Sequence, residues 1–246
     1  MSKKMQPVVI GVIALLVLSG LFKIFISAFV DYHFFESLNF TQVFWTYFST
    51  QYIIRALFFL IFIIFGGVNL YLAYRFTKRS PSVIVLQQLA IPIRTARWAL
   101  VAMLAVMAWT ISSYPAQHWL DVLMYLNQSP FDHADPIFQR DIAFYIFSLP
   151  FFEMIKNFSM TLLLITALLT AGAYFTGQAI VFMPRNVMLA PAVKRHALVL
   201  LALFLCIQLF SYWLGRFELL FSPEGLIYGI TYVDDKIRIP GYSIRM

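Results

Sequence analysis

YIIRALFFLIFIIFGGVNLYLAY, residues Tyr52–Tyr74, contains a single charged side chain, Arg55, and no polar face. A helix rises about 1.5 Å per residue, so about 20 mostly apolar residues cross the hydrocarbon of a bilayer. This run is long enough to do so. Four further stretches read the same way: Pro7–Val30, Trp98–Ser113 running on towards Pro115, Pro150–Val181 and Ala197–Leu214. The composition agrees, with 61% hydrophobic and 12% charged residues over 246 positions, where a soluble domain has roughly 45–50% and about 25%. A soluble chain must cover its surface with polar groups that are scarce here. An aqueous single-domain enzyme, a disordered tail and a disulfide scaffold are thereby excluded. The expected fold is all-α, a polytopic transmembrane helix bundle with interfacial helices in its outer loops. It is read as one membrane domain, 1–246, with spans near 7–30, 52–74, 98–115, 150–181 and 197–214 and an outer segment 215–246.

The first apolar stretch is longer than the h-region of a signal peptide, about 7–15 residues, and no small-x-small site follows it. It is expected to be a retained helix. The single cysteine, Cys206, lies within an apolar run and reads as a small buried hydrophobe.

Charge sets the expected orientation. The net charge of +7 comes from 18 Lys+Arg against 11 Asp+Glu, and in a membrane protein such an excess reports topology rather than nucleic-acid binding. Lys3, Lys4, Arg75, Lys78, Arg79, Arg94, Arg97, Arg185, Lys194 and Arg195 fall on one side without a single acid. The opposite side holds every acid, with only Arg140, Arg216, Lys236, Arg238 and Arg245 as basic residues. The positive-inside rule then places the N-terminus in the cytoplasm.

The long outer connection Ser113–Leu149 is patterned. Trp119, Leu120, Leu123 and Leu126 recur at helical spacing, which predicts an interfacial helix over His118–Leu126. Asn127–Pro130 and Asp135-Pro136 signal turns. Ile142–Leu149 is too short to span and reads as interfacial or re-entrant, with Pro150 opening the next helix.

Four segments carry a family resemblance. DPIFQRDIAFYIFSLPFFE (Asp135–Glu153), DYHFFESLNFTQVFW (Asp31–Trp45), NLYLAYR (Asn69–Arg75) and YGITYVDDKIRIPGYSI (Tyr228–Ile244) occur in family order. The chain resembles uncharacterised protein family 0182, large multi-pass membrane proteins of bacteria and archaea. Ile239 stands where leucine is usual. The resemblance covers the N-terminal part of such proteins, which continue into further spans and a large extracytoplasmic region. It implies fold and location, and no chemistry.

Ionisable residues within spans are functional suspects, because a charge at the bilayer centre costs at least about 2.5–3.5 kcal/mol. Lys23, Arg55 and Lys156 all lie close enough to an outer boundary to snorkel. A functional reading gathers them with Asp31, Glu36, Asp135, Arg140, Asp141 and Glu153 in an outer-face charge cluster that binds an anionic headgroup or locks the loops. In that reading Arg140 reaches Asp31 or Glu36, and Asp141 meets Lys23, Arg55 or Lys156, so that Asp135–Glu153 folds over the outer mouth of the bundle. His33, His118 and His133 lie near acids, but Asp132-His133-x-Asp135 matches no metal-ligand spacing. Catalytic motifs are absent: no G-x-S-x-G, H-E-x-x-H, Walker A or G-x-G-x-x-G occurs. Gly66, Gly67, Ala173 and Gly177 are small residues placed to let helices approach closely.

No catalytic residue, metal ligand or cofactor is assigned. The leading expectation is a non-catalytic subunit of a membrane complex, contacting lipid and either other membrane subunits or an extracytoplasmic region, with no nucleic acid. A transporter or channel component is the second reading, for which Asn69, Gln178 and Gln208 are too sparse to define a path. A membrane-embedded lipid-modifying enzyme is the third.

Overall fold

The computed structural model describes residues 5–77, 93–177, 179–183, 186–221 and 232–244. Most of the basic connection 75–97, including Lys78, Arg79 and Ser80, lies outside them, as do Gln178 and Arg185. The chain divides into two compact units, Met1–Tyr52 and Ile53–Met246.

The fold is all-α, a bundle with a single short hairpin among its described residues. In order come α1 (Met5–Ser37), α2 (Thr41–Thr77), α3 (Ile93–Ile111), α4 (Ser113–Gln117), α5 (Trp119–Leu126), α6 (Leu149–Thr176), the strands β1 (Ile180–Met183) and β2 (Asn186–Leu189), then α7 (Pro191–Glu218) and α8 (Ile239–Ile244). Four helical stretches among the described residues are long and apolar enough to cross a membrane: Thr41–Thr77, Arg94–Gln117, Phe144–Thr176 and Pro191–Phe221.

In the first unit, α1 stops where Asn39 adopts a left-handed φ of 60°. The Phe40 N–H donates to Phe35 O at 2.8 Å and the Asn39 N–H to Glu36 O at 3.0 Å. These two bonds form a Schellman cap, which satisfies carbonyls that the helix end would otherwise leave bare. Helix α2 then begins at Thr41, well before the apolar run does. Backbone hydrogen bonding needs no apolar side chains, so the helix extends through the mixed segment Thr41–Gln51.

In the second unit α6 is the central helix. Its buried residues Met154, Phe158, Leu162, Thr166, Leu169 and Ala173 step by three or four. They pack against Ile54, Phe58, Phe62, Leu70 and Ala73 of α2 and Leu104 and Ala108 of α3. Phe158 meets Phe58 edge-on, with centroids 4.7 Å apart. Helices α2 and α3 are also pinned reciprocally at their two ends. The guanidinium of Arg55 on α2 lies 4.1 Å from the Trp109 centroid on α3, and that of Arg97 on α3 lies 5.0 Å from Tyr74 on α2. An arginine stacked on an aromatic face keeps its charge while presenting a weakly hydrated plane to apolar surroundings.

Other boundaries also differ from those expected of the sequence. The third stretch continues to Gln117 as α3 and α4, with only a break near Ser112. The fourth ends at Thr176 rather than Val181. Gly177 caps α6, and the β-branched pair Ile180-Val181 enters the hairpin, where Val181 pairs with Met188. Ile142–Leu149 is no separate interfacial or re-entrant element. Phe144–Ser148 is a π-helical turn that runs directly into α6, with the Leu149 N–H bonded to Phe144 O. The widened turn accommodates Pro150, whose ring clashes with the i−4 carbonyl in a regular helix interior.

Candidate functional site

The loop between α5 and α6 builds itself from its own carboxylates. Asp135 Oδ2 accepts the Phe138 N–H at 2.6 Å and the Tyr145 hydroxyl at 3.2 Å. The Asp135 N–H closes the turn on Arg140 O at 2.7 Å, with Gln139 at a φ of 54°. Asp141 accepts three backbone N–H groups, from Ala143 at 2.7 Å, Asp132 at 2.9 Å and Phe131 at 3.2 Å. These bonds, Ala143 first, hold its carboxyl below the ordinary value of 3.8, because they stabilise the anion. Asp141 is thus a loop organiser. The ion pair expected for it with Lys23, Arg55 or Lys156 gives way to backbone donors that lie far nearer in sequence. Ser148 adds a bond to Gln128 Oε1 at 2.8 Å.

Arg140 leaves this loop and lies over aromatic rings. Its guanidinium carbon is 4.7 Å from the Phe144 centroid, 5.3 Å from Phe217 and 5.6 Å from Trp213. Arg216 on α7 stacks on the same pair, 4.7 Å from Phe217 and 5.6 Å from Trp213, and 5.9 Å from Phe138. Phe217 is fully buried and anchors a second core with Tyr145, Leu149 and Leu214. Two cations therefore share one aromatic platform, an arrangement that no spacing in the sequence announces.

A second polar feature lies deep in the bundle. Tyr174 donates to His196 Nδ1 at 2.7 Å, His196 Nε2 donates to Asn69 Oδ1 at 2.8 Å, and Asn69 Nδ2 donates to Phe65 O at 2.7 Å. All three side chains are buried. Every proton in this chain points the same way, which specifies the neutral Nε2–H imidazole. It links α6, α7 and α2. With the last span expected to begin at Ala197, His196 falls among the basic residues Lys194 and Arg195, whereas α7 begins at Pro191. The available signal was Asn69, a lone amide in an apolar run that needs a partner somewhere in the bundle.

The remaining candidates distribute as follows. Lys156 pairs with Glu218 at 3.5 Å, and Glu153 faces Glu218 beside it. Arg55 binds the Trp109 ring and carbonyl, the latter at 3.4 Å. In the first unit Lys23 is exposed, Asp31 is half-buried, and Glu36 pairs with His33 at 2.8 Å. Of the small residues, Ala173 is fully buried in the core. A Cβ at Gly66 would collide with Leu104, and one at Gly177 with Thr77, whereas Gly67 faces open space.

The chain matches the uncharacterised protein family UPF0182 over residues 8–246. It is 34% identical over 221 residues to a UPF0182 protein of Cupriavidus necator, covering 86% of this chain and 24% of that protein. It is 31% identical over 229 residues to one of Nocardioides sp., covering 90% and 23%. A third, from Sulfurovum sp., is 29% identical over 250 residues, covering 98% of this chain and 27% of the relative. The chain thus spans about a quarter of the length of these curated relatives. No solved structure matches it. With an all-α bundle, four apolar helices of spanning length and a family match along nearly its whole length, the chain belongs to the uncharacterised protein family UPF0182.

Proposed function

We propose that this chain is a non-catalytic, multi-pass platform of the cell membrane, with its N-terminus in the cytoplasm, that assembles with further membrane-protein segments. The observation that carries the reading is the uncovered face of α7. Of its most apolar window 6% is buried, against 44% for α6, and Leu198, Leu201, Leu205 and Leu209 all point outwards. Lipid satisfies such a face, but so does another helix, and relatives about four times as long offer many. The loop cap supports the same role, because its carboxylates are spent on holding its own backbone.

The test is purification of the tagged chain from its native membrane in mild detergent. A stoichiometric membrane partner, or stoichiometric association with the remaining sequence of a full-length relative, is expected. A chain that is monomeric in every preparation and carries solute flux in proteoliposomes would overturn the reading in favour of a transporter component. The buried Asn69–His196–Tyr174 chain is the feature that would then gain weight. Orientation is read separately with single cysteines at Ser80 and Ser129 in a Cys206→Ala background. Only the second should react from outside intact cells.

A further inference from the structure

Arg140 and Arg216 bring two guanidinium groups onto one aromatic platform. Unit 2 supplies neither guanidinium with an ion-pairing carboxylate among its described residues. Asp135, in the same loop as Arg140, has its Oδ2 committed to Phe138 and Tyr145. Arg216 Nε is buried without a hydrogen-bond partner among the described residues. Both guanidinium carbons lie 4.7–5.6 Å from the centroids of the Trp213 and Phe217 rings, and each guanidinium carries five donors. A fixed planar fork suits the paired oxygens of a phosphate better than a mobile ammonium does.

The apolar surface below completes the site. Phe210 stacks on Trp213, with centroids 5.8 Å apart and planes within 14°. The same Phe210 lines a cavity of about 360 Å³ between α2, α6 and α7, together with Phe65, Ile155, Leu163, Leu203 and Cys206. From Leu203 to Phe210 the cavity follows α7 for about 10 Å. Arg216 lies in the last turn of that apolar helix, and Arg140 shares its Trp213 and Phe217 rings. Lys156 also borders the cavity, but its charge is shared with Glu218.

We propose that this groove holds one anionic phospholipid, with its phosphate on Arg140 and Arg216 and an acyl chain along the Phe210–Cys206–Leu203 face. A free anion would need only the arginine pair. The apolar groove, joined to that pair through Phe210 and Trp213, selects the lipid.

The chain's single cysteine lies on the groove and reports its occupancy without a mutation. The purified chain is loaded with phosphatidylglycerol or phosphatidylcholine in mixed micelles. Bound lipid is counted by native mass spectrometry, and Cys206 is reacted with N-ethylmaleimide. Phosphatidylglycerol is expected to be retained at least tenfold better than phosphatidylcholine and to slow Cys206 alkylation several-fold. Arg140→Gln/Arg216→Gln should lose that preference. Equal retention of the two lipids by the parent overturns the proposal, as does an unchanged preference in the double variant. Saturation by inorganic phosphate with Cys206 still fully reactive would assign the arginines to a free anion, and overturns it too. The parent measurements stand even if the double variant folds poorly.

Discussion

The Tyr174 hydroxyl and the His196 imidazole meet at 2.7 Å inside the bundle and join α6 to α7. Because His196 continues to Asn69 on α2 at 2.8 Å, one imidazole ties three helices. Tyr174→Phe leaves Nδ1 buried without a donor, which costs about 1–3 kcal/mol, or a melting temperature lower by several degrees. Asn69→Leu should act similarly, and the double variant should cost less than the sum, since both changes break one chain. Thermal unfolding of the four proteins in detergent checks this. Strict additivity would mean that the three groups do not act as a unit.

Asp141 gives the outer loop a pH dependence with a defined sign. Its folded carboxyl titrates below the unfolded value of 3.8. The loop's stabilisation is therefore present above about pH 4 and lost as pH falls through the lower folded value. Amide exchange protection at Phe131, Asp132 and Ala143 should collapse on acidification in the parent. In Asp141→Asn it should be weaker at neutral pH and flat across the same range.

Small-residue positions should rank by what surrounds them. Gly177→Ala drives a Cβ into the short β-branched Thr77, Gly66→Ala into the flexible tip of Leu104, and Gly67→Ala into open space. The expected order of destabilisation is therefore 177, then 66, then 67, with about 1–3 kcal/mol for the overpacked positions and near zero for the last. Ala173→Leu, in the filled core, should be as damaging as any. A Gly67 variant that melts as low as the Gly177 variant would contradict the packing.

Arg55→Lys should not behave as a conservative change. The stacked guanidinium 4.1 Å from Trp109 is a plane, and an ammonium cannot reproduce it. A loss of about 0.5–2 kcal/mol is expected, with Trp109 fluorescence shifting as its face is uncovered. Identical melting and emission in Arg55→Lys would show that the charge alone matters.

Four helices of spanning length were legible because a bilayer imposes a length and a polarity that composition displays directly. Helix α5 was legible for a related reason, since Trp119, Leu123 and Leu126 recur at the helical period. The ends of α2, α6 and α7 were not. A helix runs past its apolar stretch until a cap stops it, as at Asn39 and Gly177, and His196 was hidden by that difference. Asp141 is expected from its charge to meet a cation, whereas the bonds it accepts come from backbone N–H groups. Its donors are backbone groups, brought to it only when residues 131–143 close on themselves. Arg140 and Arg216 lie on segments remote in sequence, and a shared aromatic platform exists only once α6 and α7 have packed.

The π-helical turn at Phe144–Ser148 has a mechanical consequence. Each residue of a regular helix rotates its side chain by about 100°, so a rod of constant pitch shows one seam to one neighbour. Here Tyr145, within the turn, packs with Leu214 and Phe217 of α7, and Met154, beyond it, packs with α2 and α3. One continuous rod thus engages two partners in series, like a key cut with two bits at different angles. Deleting a residue within 144–148 would turn the upper bit out of its lock, taking Arg140 with it, while leaving the lower bit seated.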